Sequence, residues 1–228
     1  MQIDELIATR SQKATKAYQN SIAMRPERWA SFGYQIRLVS NLCPNNILEI
    51  GKGNGLFEKT MTHFGHDIET IDIDGTYEPT YVGDNRSFNF TKKYDLVAAF
   101  QILQHIPYVS LGPTIKKICA ISKKNIVVSV PFYTPHYLSI KIVLPRALSR
   151  LKIKIKHDFI FRMPVPFSKE RKYPDQNSSQ AHYWELGRAG RKEKDFVKLF
   201  EENAFKLEHS FTCVDHPYHR YIVFSKEN

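Results

Sequence analysis

Apolar positions recur at helical spacing from Pro26 onward: Trp29, Phe32, Ile36 and Val39 fall three or four apart, and Pro44 closes the run. Ile47 to Ile50 reads as a short buried strand that ends in glycines. Leu56 to Phe64 reads as a helix with Gly65 as its stop. Ile68 to Ile73 is a second strand, Tyr81-Val82 a short third, and Asp95 to Phe100 a fourth. The fourth is almost continuously apolar, as expected of a parallel strand covered on both faces. Val109 to Ser122 is helical in pattern despite Pro113, and Asn125 to Val130 is a fifth strand. Strands alternating with helices predict parallel βαβ units.

After position 130 the alternation stops. Residues 131–190 hold many prolines and aromatics, and Leu151, Ile153 and Ile155 alternate with Lys152, Lys154 and Lys156, a period of two with one basic face. Order resumes with a helix over 193–203, which carries Phe196, Leu199 and Phe200 on one side. Phe205 to Val214 and Tyr221 to Phe224 then read as an antiparallel pair turned at His216-Pro217. The expectation is one α/β domain over 1–228. Its parts are an N-terminal helical region (1–44), a core (45–131), an insertion or lid (132–190), and a C-terminal helix and hairpin (191–228). Its open sheet is mostly parallel and seven-stranded, with an antiparallel C-terminal strand and a basic insertion after the fifth strand.

Composition narrows this picture. With 228 residues, 42% hydrophobic and 13% aromatic, the chain can build a core, which excludes wholesale disorder. No apolar run approaches the roughly 18 residues that span a bilayer. Residues 1–15, with Asp4, Glu5, Gln12 and Lys13, do not read as a signal peptide. Cys43, Cys119 and Cys213 are odd in number and widely spaced, so neither a disulfide framework nor a metal knuckle is expected, and a reduced cytoplasmic setting is. The net charge of +10 is concentrated. Between Lys141 and Lys172 stand ten Lys or Arg against Asp158 and Glu170. Such a block is either a solvated face or an attraction for anions.

The string Ile47-Leu48-Glu49-Ile50-Gly51-Lys52-Gly53-Asn54-Gly55 carries the chemistry. Its glycines leave a strand and enter a helix, where a tight turn lets a ligand approach backbone. A dinucleotide loop would want a small residue at 56, and Leu56 stands there. Glu49 would repel a pyrophosphate but attract a cation or an ammonium group. Asp72 follows Gly51 by 21 residues, near the end of the second strand, where an acid can accept from ribose hydroxyls.

These motifs resemble those of the class I S-adenosylmethionine-dependent methyltransferases, over about residues 45–131. Glu49 to Gly55 looks like their first motif. Thr70-Ile-Asp72-Ile73-Asp74 looks like the second-strand motif, and Val82-Gly83-Asp84 like the loop that reads adenine. Tyr94 to Pro107 looks like the fourth-strand segment of the small-molecule and lipid branches. The resemblance implies a Rossmann-like sheet and S-adenosylmethionine as cofactor. It implies that Gly51, Gly53 and Gly55 cradle the cofactor and Glu49 secures its methionine end. Asp72, with Ile73 beside it, holds the ribose, Asp84 with Asn85 reads the adenine, and Gln101 lies near the sulfonium. Lys52 departs from the pattern, and beside a cationic cofactor its side chain is expected to point outward. Methyl transfer needs no metal, and positioning in a water-poor cleft supplies much of the acceleration.

The acceptor is less legible. The Asn/Asp-Pro-Pro-Tyr/Phe string of many amine methylators is replaced here by Phe100-Gln101-Ile102-Leu103, so nucleic acid is a weaker candidate substrate. His182-Tyr183-Trp184-Glu185 reads in two ways. In one, His182 is a general base, Glu185 orients it or grips the acceptor, and Trp184 walls the substrate. In the other, the aromatics pin the insertion to the core. His105 carries the same ambiguity, and Tyr218 and His219 read first as hairpin-turn residues. The basic block could dock on anionic lipid through 138–172, bind RNA phosphates, or grip a small anion. The expected activity is methyl transfer to a hydroxyl of a small, lipid-linked or glycan-type acceptor, in the cytoplasm or at the membrane periphery. The alternatives are an RNA-binding methyltransferase and a cofactor-binding protein without transfer.

Overall fold

The computed structural model describes residues 25–133, 182–188, 190–213 and 215–227 in full, and the backbone of 137–143 and 158–164. The chain forms two compact units. One comprises 1–133 with 173–228, and the other 134–172.

In the larger unit, Pro26 sits at the first position of helix α1 (Pro26–Asn41), where its missing N–H costs nothing. The remaining elements are β1 (Asn46–Ile50), α2 (Leu56–His63), β2 (Asp67–Asp72), β3 (Tyr81–Val82), β4 (Tyr94–Phe100), α3 (Leu111–Ile121) and β5 (Ser122–Pro131). Seven strands form one sheet. Numbering the C-terminal helix α4 (Glu193–Glu201) and the last two strands β8 (Phe205–Thr212) and β9 (His219–Lys226), the sheet order is β3-β2-β1-β4-β5-β9-β8. Pairings from β3 through β5 are parallel, and β9 runs antiparallel to both β5 and β8. This is the open, mostly parallel α/β sheet with an antiparallel end that the periodicity predicts.

The central strands are buried on both faces. Along β4, Leu96 and Ala98 join the cluster of Val39, Phe57 and Met61 under α1 and α2. Val97 and Ala99 join the opposite cluster, with Ile115, Ile118, Phe196 and Phe200 of α3 and α4. Backbone pairing carries two strands beyond their apolar runs. β5 extends from Ser122 to Pro131, and β9 begins at His219, which pairs with Pro131. Strand ends are set by ladder hydrogen bonds, which polar residues make as well as apolar ones. That extension brings His219 to the same end of the sheet as the glycine loop.

The segment 182–188 is held along the end of β5. The Leu186 N–H donates to the Pro131 carbonyl, and the Tyr133 N–H donates to the Leu186 carbonyl, at 3.0 and 2.8 Å. Nearby, the Tyr183 N–H donates to the Gln104 carbonyl at 2.9 Å.

The smaller unit contains an antiparallel pair, β6 (Tyr137–Val143) with β7 (Asp158–Pro164), in register from Tyr137↔Pro164 to Val143↔Asp158. The alternating Lys152, Lys154 and Lys156 lie outside the described residues. Among the described residues no helix is long and apolar enough to cross a membrane.

Candidate active site

A cleft opens at the C-terminal ends of β1 and β4, where ligands of open α/β sheets bind. Its walls come from the glycine loop, from Phe100 at the end of β4 and Gln101 after it, from α1, and from His219 at the start of β9.

Gly51 adopts φ +83°, a left-handed conformation that side chains rarely take. A Cβ there would stand 3.0 Å from Ile102, so only glycine fits. Its N–H donates to the Ile71 carbonyl at 2.8 Å. The turn returns through Gly53 and Gly55, also at positive φ, and Gly55 caps α2. The Asp72 carboxylate braces this loop. One oxygen accepts the Gly53 N–H at 3.1 Å, and the other accepts the Asp74 N–H at 3.0 Å. Burial raises the Asp72 carboxyl above its ordinary value, against the lowering effect of those amides.

Glu49 is 4% exposed and lies in the cleft wall. Its Oε2 takes no hydrogen bond among the described residues. Burial drives its pKa well above the ordinary carboxylate value; Glu58 and Asp72 add to the rise and Lys52 opposes it. A buried carboxylate with an unsatisfied oxygen is costly unless a cation completes it. Lys52 does not do so, and it does not point outward as the sequence suggests. Its ammonium pairs with Glu58 at 2.7 Å and donates to the Glu78 carbonyl at 2.7 Å, with 8% of the side chain exposed. Paired with Glu58, Lys52 only partly offsets the rise in the Glu49 pKa.

Beyond the loop, Ile73 follows β2 and is 49% exposed. Asp84 and Asn85 occupy the turn after β3. Asp84 is engaged by Arg86, whose Nε lies 2.9 and 2.8 Å from its two oxygens. Against the upward push of burial, those bonds hold the Asp84 carboxyl below its usual range. Gln101 adopts φ +52°, a strained conformation of the kind found at functional sites. It is held at β5 by its N–H to the Ser129 carbonyl at 2.9 Å and by its amide to the Ser129 hydroxyl at 3.3 Å.

His182 and His105 meet edge to face with ring centroids 5.2 Å apart, but neither is in the cleft wall. His182 Nδ1 lies 2.9 Å from the Tyr218 hydroxyl, and that hydroxyl donates a short hydrogen bond to Glu185. Glu185 is 2% exposed. Burial alone would raise its pKa, but bonds from His182 and Tyr218 and the charge of Arg188 lower it. Trp184 corrects the reading that it walls the substrate. It is 1% exposed, packed against Tyr108 and Phe196, with its indole N–H donating to the Ile106 carbonyl at 3.0 Å. A ring with no exposed face cannot stack on a ligand.

Two contributors are invisible in the sequence reading. Arg28, Trp29, Ser31 and Gln35 of α1 line the cleft, and so does His219, which reads as a turn residue. The helix periodicity of α1 marks Trp29 and Phe32 but carries no hint of what α1 covers. Among the described residues no group of His, Cys, Asp and Glu is arranged to hold a metal ion.

No protein-family model matches the chain, and no curated protein matches it in sequence. Solved structures do match its fold. The TehB-like SAM-dependent methyltransferase of Corynebacterium glutamicum superposes with TM-score 0.60 at 15% identity, over 96% of this chain and 100% of that one. The magnesium protoporphyrin IX methyltransferase ChlM of Synechocystis, with bound SAH, gives 0.59 at 15% identity, over 96% and 94%. The N-methyltransferase NodS of Bradyrhizobium japonicum, in complex with S-adenosyl-L-homocysteine, gives 0.57 at 11%, over 96% and 99%. The chain therefore has the fold of the class I S-adenosylmethionine-dependent methyltransferases.

Proposed function

We propose that this protein is an S-adenosylmethionine-dependent methyltransferase acting on a small acceptor, with a hydroxyl of a small, lipid-linked or glycan-type molecule as the methylated group. The observation that carries the reading is the orphaned, buried Glu49 oxygen in a cleft walled by the glycine turn. An ammonium group satisfies that oxygen and favours the ionised form of the carboxyl, and the cofactor's methionine end offers one. The glycine backbone admits the ligand closely, Asp72 accepts from ribose hydroxyls with its remaining lone pairs, and Asp84 with Asn85 faces the base. When bound, the cofactor supplies an electrophilic methyl on a sulfonium. The chain's part is to orient the acceptor, exclude water and remove a proton. His182, held through Tyr218 and Glu185, and His105 belong to the acceptor side in this reading. The basic segment 138–172 is proposed to contact an anionic acceptor or the membrane surface that carries it.

Calorimetric titration of S-adenosylmethionine and S-adenosylhomocysteine into wild type and Glu49→Gln tests the proposal. Micromolar binding, weakened about tenfold or roughly 1.4 kcal/mol by the substitution, is expected. Folded wild type that binds neither ligand overturns it.

A further inference from the structure

We propose that His219 is the general base of this cleft, and that the hydroxyls of Ser31 and Tyr221 keep its Nε2 open for a proton. The proposal rests on the methyltransferase reading above and assigns it a catalytic residue. Three polar contacts form a chain behind the imidazole. Ser31 Oγ lies 2.6 Å from His219 Nδ1 and 2.6 Å from Tyr221 Oη, and Tyr221 Oη donates to the Ser31 carbonyl at 2.8 Å. A carbonyl only accepts, so the Tyr221 proton is committed to it. The Ser31–Tyr221 contact must then use the Ser31 proton. With the Tyr221 proton on that carbonyl and the Ser31 proton on Tyr221 Oη, His219 Nδ1 carries its own hydrogen and donates to Ser31 Oγ, which is the arrangement proposed. The neutral ring with hydrogen on Nδ1 has its lone pair on Nε2. Among the described residues Nε2 takes no hydrogen bond, while His219 lines the cleft together with Gly51 and Gln101.

The surroundings keep the ring neutral and still. His219 is 5% exposed and stacks on His216 with centroids 3.9 Å apart and planes within 20°. Burial, then the neighbouring charges of His216, Arg28 and His182, hold its pKa well below the ordinary histidine value. The ring is therefore unprotonated at neutral pH, as a base must be. In the transfer, the acceptor oxygen gains the methyl carbon and the carbon–sulfur bond breaks with its electrons left on sulfur. The hydroxyl proton moves to Nε2 and is later lost to water. His182 also contacts a hydroxyl, its Nδ1 lying 2.9 Å from that of Tyr218. His182, however, is not in the cleft wall.

The test reads the ring directly. Nitrogen–proton correlation spectra of the full-length protein should show His219 with hydrogen on Nδ1. Tyr221→Phe removes the group that absorbs the Ser31 proton, so Ser31 should turn to donate to Nδ1 and the tautomer should invert. A merely structural role for Tyr221 would leave it unchanged. Ser31→Ala is the second variant, in which a mixture of tautomers is expected. Diethyl pyrocarbonate should modify His219 at Nε2 in the wild type, at least tenfold more slowly with saturating S-adenosylhomocysteine. A wild-type ring with hydrogen on Nε2, a tautomer indifferent to both variants, or modification indifferent to S-adenosylhomocysteine that does bind overturns the assignment alone. Failure of S-adenosylhomocysteine to bind removes the methyltransferase reading and the assignment with it.

Discussion

The two sides of the cleft are built on opposite plans. On the side of β1 and β2 the groups are carboxylates and backbone. Glu49 and Asp72 stand at the ends of neighbouring parallel strands, only a glycine turn apart, and the Glu49 oxygen is left unsatisfied. On the side of α1 and β9 the groups are the Ser31 hydroxyl and the His219 imidazole, whose contact joins residues 188 apart in sequence. The first side holds a buried carboxyl with raised pKa and an oxygen without a partner, which an ammonium ligand would complete. The second ends, in the proposed tautomer, in the His219 Nε2 lone pair. The contrast matches a reaction that brings in a cationic methyl donor and must dispose of a proton.

The largest expected effect marks what belongs to neither side. Trp184→Ala empties a buried aromatic site and should cost about 3–5 kcal/mol, lowering Tm by roughly 6–20 °C in a thermal melt. A melt within a degree of wild type would return Trp184 to the list of substrate contacts. Next, Gly51→Val forces a β-branched residue into φ +83° against Ile102 and should weaken S-adenosylhomocysteine at least a hundredfold, or about 2.7 kcal/mol. Unchanged affinity in a folded variant would move the ligand away from the glycine side.

On the proton-handling side, Tyr218→Phe strips a donor from buried Glu185 and should cost about 1–3 kcal/mol at neutral pH. The sign follows from linkage. The Glu185 pKa is lowered in the fold, so its partners contribute stability above the unfolded carboxylate value, lost as pH falls through the folded one. The variant should accordingly unfold at higher pH than wild type in an acid titration monitored by circular dichroism.

The smallest effect is the sharpest, because Glu49→Gln should act in two directions. It should weaken S-adenosylmethionine about tenfold while raising the Tm of the unliganded protein by about 2–4 °C, the equivalent of roughly 1 kcal/mol. The Glu49 pKa is raised in the free protein, and an ammonium ligand favours its ionised form. Wild-type affinity should therefore climb as pH rises through that value, with a proton released on binding, and the variant should lose this dependence. Calorimetry in buffers of different ionisation enthalpy measures the released proton.

Most of the sheet was legible in the chain. The alternation of apolar runs and helical spacings marked β1 to β5, α1 to α4 and the final hairpin. The glycines after Ile50 and the acid at 72 marked the carboxylate side, because a turn at positive φ and a strand-end carboxylate are local demands on residue type. Two points failed for one physical reason. Lys52 was expected to point outward, and Trp184 was open to a substrate role, yet a partner distant in sequence captures each. The smaller unit's β6 and β7 were not among the predicted elements, although Leu138, Ile140 and Ile142 alternate with Ser139 and Lys141.

The sequence by itself determined the order of elements, the glycine turn at positive φ, and the carboxyl groups at the ends of β1 and β2. These depend on side-chain periodicity and backbone conformation over a few residues. Only the tertiary structure decided that Trp184 belongs to the core, that Glu49 keeps an oxygen without a partner, and that His219 and Ser31 meet in the cleft wall. Those outcomes depend on which distant donors and acceptors the packed sheet brings within 3 Å of one another. Hydrogen bonds of that kind leave no period in the chain.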